Sequence, residues 1–265
     1  MRQPAIDLGA PGPAAAAGRR IRVGIGGWTF APWRGTFFPQ GLAHSRELAY
    51  ASRRLTAIEV NGTYYRTLTP AAFAAWREQT PDGFVFSLKA NRFATNRKVL
   101  ATAREPIERF VASGIAELGD KLGPIVWQFM PTKRFEPDDF EAFLALLPRG
   151  VGDLALRHVL DVRHESFLDP RYLPLARRYG CATVHTDAPQ FPAIADAGGE
   201  LAYLRLMRSS GRYATGYAPG DLDAWAQGAR AWTALGPRRE VFVYFINGDK
   251  KRAPAAAQEL IRRLS

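Results

Sequence analysis

The chain has 265 residues, 47% apolar and 12% aromatic against 23% charged, a profile that excludes disordered, collagen-like and disulfide-stapled classes. Its 36 basic and 25 acidic residues leave a net charge of +11, which favours polyanionic or phosphorylated partners, and no apolar run nears the roughly 18 residues of a membrane span. With one cysteine, Cys181, no internal disulfide can form, and the expectation is a cytoplasmic protein with one buried thiol.

Residues 1–20 (MRQPAIDLGAPGPAAAAGRR) are rich in Ala, Pro and Gly and lack a hydrophobic h-region, so they read as a disordered tail rather than a signal peptide. The remainder, 21–265, reads as one domain. Eight β-branched or alternating runs recur along it: Ile21–Gly26, Ala57–Asn61, Phe84–Lys89, Ile125–Phe129, His158–Val162, Thr183–Thr186, Ala202–Leu206 and Val241–Ile246. Helix-period segments alternate with them. Ser45–Arg53 opens with a serine of capping type, and Thr69-Pro70 starts a segment whose Phe73 and Trp76 share a face. Apolar residues from Ile107 to Leu122 repeat at helical spacing and stop at Gly123, and those from Phe140 to Leu147 stop at Pro148. Leu173, Ala176 and Tyr179 end at Gly180, Asp221 is placed to cap a helix through Trp232, and Ala257–Leu264 closes the chain. Only Ala188–Glu200 lacks a helical pattern.

This alternation predicts an α/β fold, a single-domain (β/α)8 TIM-type barrel. The competing fold is a doubly wound open sheet. Gly24-Ile25-Gly26-Gly27-Trp28-Thr29 approaches its dinucleotide fingerprint, but Thr29 stands at the third glycine and an aromatic loop follows in place of a helix. The chain also has no P-loop, no HExxH and no G-x-S-x-G.

In such a barrel the site lies at the C-terminal ends of the strands. The residues there are polar. Glu59 and Asn61 share a direction on strand two, as do Asp161 and Arg163 on strand five; Lys89 and Asn91 end strand three, Arg205 lies on strand seven, and Asn247 follows strand eight. Two readings stand: a buried ion-pair layer of Glu59–Lys89 and Asp161–Arg163, or a site in which Glu59 or Asp161 is a general base and Lys89 and Arg163 meet a substrate. Around this face twelve basic residues (Arg66, Lys89, Arg92, Arg97, Lys98, Arg163, Arg205, Arg208, Arg212, Lys250, Lys251, Arg252) outnumber five acidic ones (Glu59, Asp161, Glu165, Asp187, Asp249). Thirty of the chain's basic residues are arginine, which genomic base composition can also produce, so their placement carries the argument. Aromatic rings are interleaved with these charges and can stack bases or sugars: Trp28, Trp33, Phe37, Phe38, Tyr64, Tyr65, Phe93, Phe167, Tyr213 and Tyr217.

His164, His185 and Asp187, with Glu59 and Asp161, are of the types that Zn²⁺ or Mn²⁺ prefers, but the cationic excess disfavours a bare dication. Neither metal nor cofactor is therefore expected.

Several stretches are similar to the YecE-like proteins, domain of unknown function 72: VGIGGWTFAPWRGTFFP, IEVNGTYYRTLTP, FVFSLKANRFATNRKVL, LGPIVWQFMP, LDVRHESF, YLRLMRSSGRYATGYAPGDLDAWA and VYFINGDKKRAPAAAQEL. They run from Val23 to Leu260. The resemblance implies a TIM-type barrel and no particular reaction. It carries the family's Glu-x-Asn-x-Thr-Phe-Tyr stretch onto Glu59, Asn61, Thr63, Tyr64 and Tyr65, its lysine onto Lys89, and its Arg-His pair onto Arg163 and His164. Three departures stand out: Asp161 replaces a usual Glu, Asn96-Arg97 a Thr-His pair, and Met207-Arg208 a His-Gly pair. The resulting expectation is a barrel that binds a phosphorylated or nucleic-acid ligand, as a hydrolase or lyase with Glu59, Lys89, Asp161 and Arg163 in the chemistry. Ligand contacts are expected from Trp28, Asn61, Tyr64, Tyr65, Arg66, Asn91, His164, Arg205, Arg208, Tyr213, Tyr217 and Asn247. The alternatives are a non-catalytic nucleic-acid-binding module and a metal-assisted hydrolase or isomerase.

Overall fold

The computed structural model describes Leu8 and residues 20–265; the rest of the expected tail lies outside the described residues. Eight parallel strands close into a barrel: β1 (Ile21–Gly26), β2 (Ala57–Val60), β3 (Val85–Lys89), β4 (Leu122–Gln128), β5 (His158–Asp161), β6 (Ala182–Thr186), β7 (Leu201–Leu206) and β8 (Glu240–Phe245). Each strand bonds its sequence neighbour and β8 bonds back to β1, with Gly26 opposite Glu59, Gln128 opposite Asp161 and Tyr244 opposite Arg205. An outer layer carries α1 (Glu47–Ala51), α2 (Pro70–Gln79), α3 (Arg104–Val111), α4 (Pro137–Ala145), α5 (Tyr172–Arg178), α6 (Pro219–Ala234) and α7 (Ala253–Leu264). Proline opens α2, α4, α6 and α7, where its missing N–H costs nothing and its fixed φ suits the first turn. Among the described residues no helix is long and apolar enough to cross a membrane.

Alternation divides the core. Outward strand residues pack under the helices in one large apolar cluster, and inward residues fill the lumen with Ala57, Val85, Val126, Val159, Ala182 and Val184 around the rings of Tyr203, Phe242 and Tyr244. Strand β1 contributes glycine at its two inward positions nearest the mouth, Gly24 and Gly26. A Cβ on Gly24 would stand 2.0 Å from the Ala57 carbonyl oxygen and 3.2 Å from the Tyr244 ring, so the Tyr244 ring is accommodated by a glycine on β1.

Several sequence expectations shift. Ser45 does not cap α1, which is entered through a 3-10 turn at His44–Arg46 without any side-chain cap. The run from Ile107 breaks at Gly114 (φ 104°) and Gly119 (φ 56°), and Gly123 belongs to β4 rather than ending a helix. There a Cβ would meet Val85 and the Phe86 carbonyl within 2.7 Å; close strand packing, not helix termination, requires that glycine. Asp221 sits in the first turn of α6, two residues after Pro219, and does not cap it. A hairpin of Gly150–Val151 with Leu154–Ala155 precedes β5. The helix-free segment after β6 is held by Arg239, whose buried guanidinium donates to the carbonyls of Asp196, Ala197, Gly198 and Gly199.

Candidate functional site

The lumen becomes polar in its last layer before the mouth. Arg205, 2% exposed, donates from Nε and Nη2 to the two Glu59 oxygens at 3.0 and 2.9 Å, and from Nη1 to Asp161 Oδ2 at 2.6 Å. Tyr203, two residues earlier and so on the same side of β7, donates its hydroxyl to Glu59 at 2.9 Å. Arg163 donates to Asp161 Oδ2 and to Gln128 at 2.9 and 2.8 Å, and its guanidinium lies 4.6 Å from the Phe191 ring centre. A layer below, the Ser87 and Tyr244 hydroxyls bond at 2.8 Å. Burial works to lower the Arg205 pKa, but Glu59 and Asp161 outweigh it and hold that group firmly charged.

The expected Glu59–Lys89 pair does not form. Both Glu59 oxygens are occupied by Arg205 and Tyr203, because the fork of a guanidinium satisfies a buried carboxylate bidentately while an ammonium cannot. Lys89 is only 6% exposed, yet among the described residues its Nζ makes no hydrogen bond and no ion pair. It lies 4.4 Å from the centre of the Tyr64 ring, whose hydroxyl donates to Asn96 at 3.3 Å. Burial and the adjacent Arg205 lower the Lys89 pKa to about 8, against an opposing pull from Glu59 and Asp161. Counted formally, two carboxylates face three cations, and the unmatched charge is that of Lys89. Asp161 keeps one oxygen, Oδ1, that accepts nothing within the described residues.

A family model for a protein of unknown function, DUF72, matches residues 22–265. The chain belongs to the DUF72 family. Solved relatives agree in fold: a DUF72 protein of Thermotoga maritima is 20% identical with a TM-score of 0.72, over 93% of this chain and 99% of its own. One from Enterococcus faecalis is 17% identical with a TM-score of 0.69, over 92% and 95%. The comparison with curated proteins gives no match.

In this DUF72 chain the other expected contacts divide into groups. Trp28, Asn61 and Arg66 line a cavity of about 270 Å³ between the ends of β1 and β2, with Lys250 at its edge. Arg208, Tyr213 and Tyr217 line another of about 480 Å³ between β7 and α6. Tyr65 and Phe93 stand free at 63% and 55% exposure, and the Arg92 guanidinium lies within 6 Å of both rings. Five of the expected stacking rings are instead packed away: Trp33, Phe38, Tyr64, Phe167 and Tyr217 are buried. Tyr217 is also tied down chemically, donating to Asp187 and accepting from the Arg208 amide. Asn91 and His164 are local caps, accepting from the Phe93 and Ser166 amides at 3.0 Å each. Asn247 is exposed after the end of β8; its carbonyl accepts from the Ser209 hydroxyl at 2.6 Å, and its side chain makes only a long contact with the Met207 sulfur.

The mixed His/carboxylate set does not assemble. His185 points outward between Trp225 and Trp232, Asp187 is engaged by the Met207 amide and Tyr217, and no metal-holding group of three His, Cys, Asp or Glu occurs among the described residues. Tyr203 and Gln128, both in the charged network, were absent from the sequence-derived site. The signal for Tyr203 was present in its i, i+2 relation to Arg205 on one strand.

Proposed function

We propose that the mouth binds a phosphorylated small molecule, with Lys89 as the cation that meets its anionic group and Arg163 and Arg205 behind it. The observation that carries this reading is the buried Lys89 ammonium, which has no carboxylate of its own in a layer where every other charge is matched. A buried charge without a partner is costly, and an anionic ligand removes that cost. The rim supports the same reading. Arg66, Arg92, Arg208, Arg212 and Lys251 form no ion pair among the described residues, whereas flank arginines such as Arg104, Arg109, Arg178, Arg262 and Arg263 each pair with a Glu or Asp. Arginines without a carboxylate also occur away from the mouth, but Arg53, Arg230 and Arg239 there donate to main-chain carbonyls. With Asp161 Oδ1 open as a proton acceptor, the arrangement suits hydrolase or lyase chemistry, and Glu59 acts as the group that positions Arg205.

Titration with inorganic phosphate by calorimetry at low salt tests the site. Lys89→Ala is expected to weaken binding by at least tenfold at pH 7, the loss of one charged hydrogen bond at ~1.5–3 kcal/mol. Wild-type affinity is expected to fall as pH rises through about 8, where the ammonium loses its proton. No binding at any pH refutes the reading. A second reading, a single-stranded nucleic acid on the rim, is favoured by the exposed Tyr65 and Phe93 rings flanking unpaired Arg92, since bases stack on such rings without sequence preference.

A further inference from the structure

We propose that Lys89 is a covalent nucleophile, forming an imine with the aldehyde or ketone of a substrate that also carries an anionic group. The inference rests on the anion-binding reading above and adds a reaction to it, in which Lys89 gives up its proton and the substrate's anionic group is left to Arg163 and the rim arginines. Three structural facts carry it. The amine stands at the C-terminal end of β3, where a barrel presents its reacting groups. It has no bond to break before it attacks, since among the described residues its Nζ has neither hydrogen bond nor ion pair and only the Tyr64 ring beside it. Its backbone is fixed, because the Thr63 hydroxyl donates to the Lys89 carbonyl at 2.7 Å and the Ala90 amide to the Val126 carbonyl at 2.9 Å.

The charged groups around it are Glu59 from β2, Asp161 and Arg163 at the end of β5, and Arg205 from β7. Both arginines are locked onto carboxylates. They therefore repel a proton on Lys89 while remaining charged themselves, which, after burial, is why its pKa falls to about 8. A desolvated lysine beside another cation is a known way of keeping an amine nucleophilic at neutral pH. The step balances simply. The Nζ lone pair bonds the carbonyl carbon, the C=O π pair moves to oxygen, and the two amine hydrogens leave with that oxygen as water, giving C=N. Asp161 Oδ1 is the open acceptor that can carry a proton from nitrogen to the departing oxygen.

The test is reductive trapping on the full chain. Glycolaldehyde phosphate or neutral glycolaldehyde is added at pH 7 with sodium cyanoborohydride, and adducts are mapped by peptide mass spectrometry. Only six lysines need be told apart: Lys89, Lys98, Lys121, Lys133, Lys250 and Lys251. A pKa of about 8 against an ordinary one near 10.4 leaves on the order of a hundredfold more free amine at pH 7. The expected result is modification of Lys89 at least tenfold faster than of any other lysine, faster with the phosphorylated aldehyde, saturable, and slowed by inorganic phosphate. Lys89→Arg, which is no nucleophile, is expected to lose the adduct. Adducts spread evenly over the lysines, or an unmodified Lys89 in a protein that binds phosphate, would overturn the imine and leave anion binding standing. Selective modification by both aldehydes at equal rates, without phosphate binding, would overturn the anionic substrate and the reading beneath it. Because the mapping is done on the wild-type chain, it holds even if the variant fails to fold.

Discussion

Arg205 joins strands from opposite sides of the barrel, and its worth follows from what its removal leaves behind. Without it, Glu59 at 0% exposure and Asp161 at 3% would lose their shared cation, Glu59 keeping only the Tyr203 hydroxyl. Arg205→Met is expected to destabilise the fold by about 3–5 kcal/mol, the usual cost of orphaning a buried charge, read as a lower denaturant midpoint. Arg205→Lys keeps the charge but not the fork, and should recover only part of that loss. If both variants unfold at the wild-type midpoint, the network is not structural. Lys89, by contrast, holds no partner in place. It was legible in the sequence as a polar residue at a strand end, but its freedom from Glu59 was not, because which cation a carboxylate takes depends on reach and angle across the lumen.

At the scale of elements, glycines with the same letter have opposite meanings. Gly24 lies in β1 where a Cβ would strike the Ala57 backbone, while Gly228 lies within α6 with nothing near its Cβ position. Gly24→Ala is expected to destabilise by more than about 3 kcal/mol, because backbone must move. Gly228→Ala should stabilise by about 0.5–1 kcal/mol through the helix term alone. Thermal melts of the two variants check both signs, and a stable Gly24→Ala would contradict the strand packing. The periodicity located most helices because apolar spacing is local. It misplaced Gly123 and Asp221 because a glycine between strands and a glycine after a helix look alike in one dimension, as do a cap and a first-turn acid.

For the whole molecule, charge is distributed unevenly. A cavity at the opposite end of the barrel, about 440 Å³, is also lined by arginines, but there Arg157, Arg177 and Arg238 pair with Glu240, Asp196 and Glu200. At the mouth, by contrast, Arg66, Arg92, Arg208, Arg212 and Lys251 have no counter-charge among the described residues, and Lys89 has none beneath them. If a single-stranded nucleic acid uses that rim, released counterions should make log K fall with log salt at about −0.7 per phosphate contacted. Changing Arg208, Arg212 and Lys251 together to Glu is expected to abolish oligonucleotide binding while leaving phosphate in the mouth, since Lys89, Arg163 and Arg205 are untouched. Binding isotherms at two salt concentrations decide it; loss of both ligands together would place the phosphate on the rim instead.

The sequence by itself determined the barrel, its eight strands, and the identity of the polar residues at their ends, because strand alternation and helical spacing are encoded over a few neighbouring residues. The close approach of Glu59, Asp161 and Arg205, up to 146 positions apart, also followed once barrel closure was granted. Only the tertiary structure decided the pairing within that layer, the burial of five aromatic rings, the outward turn of His185 and the isolation of Lys89. Those outcomes depend on angles and distances across the lumen, where groups compete for partners, and no local pattern records who wins.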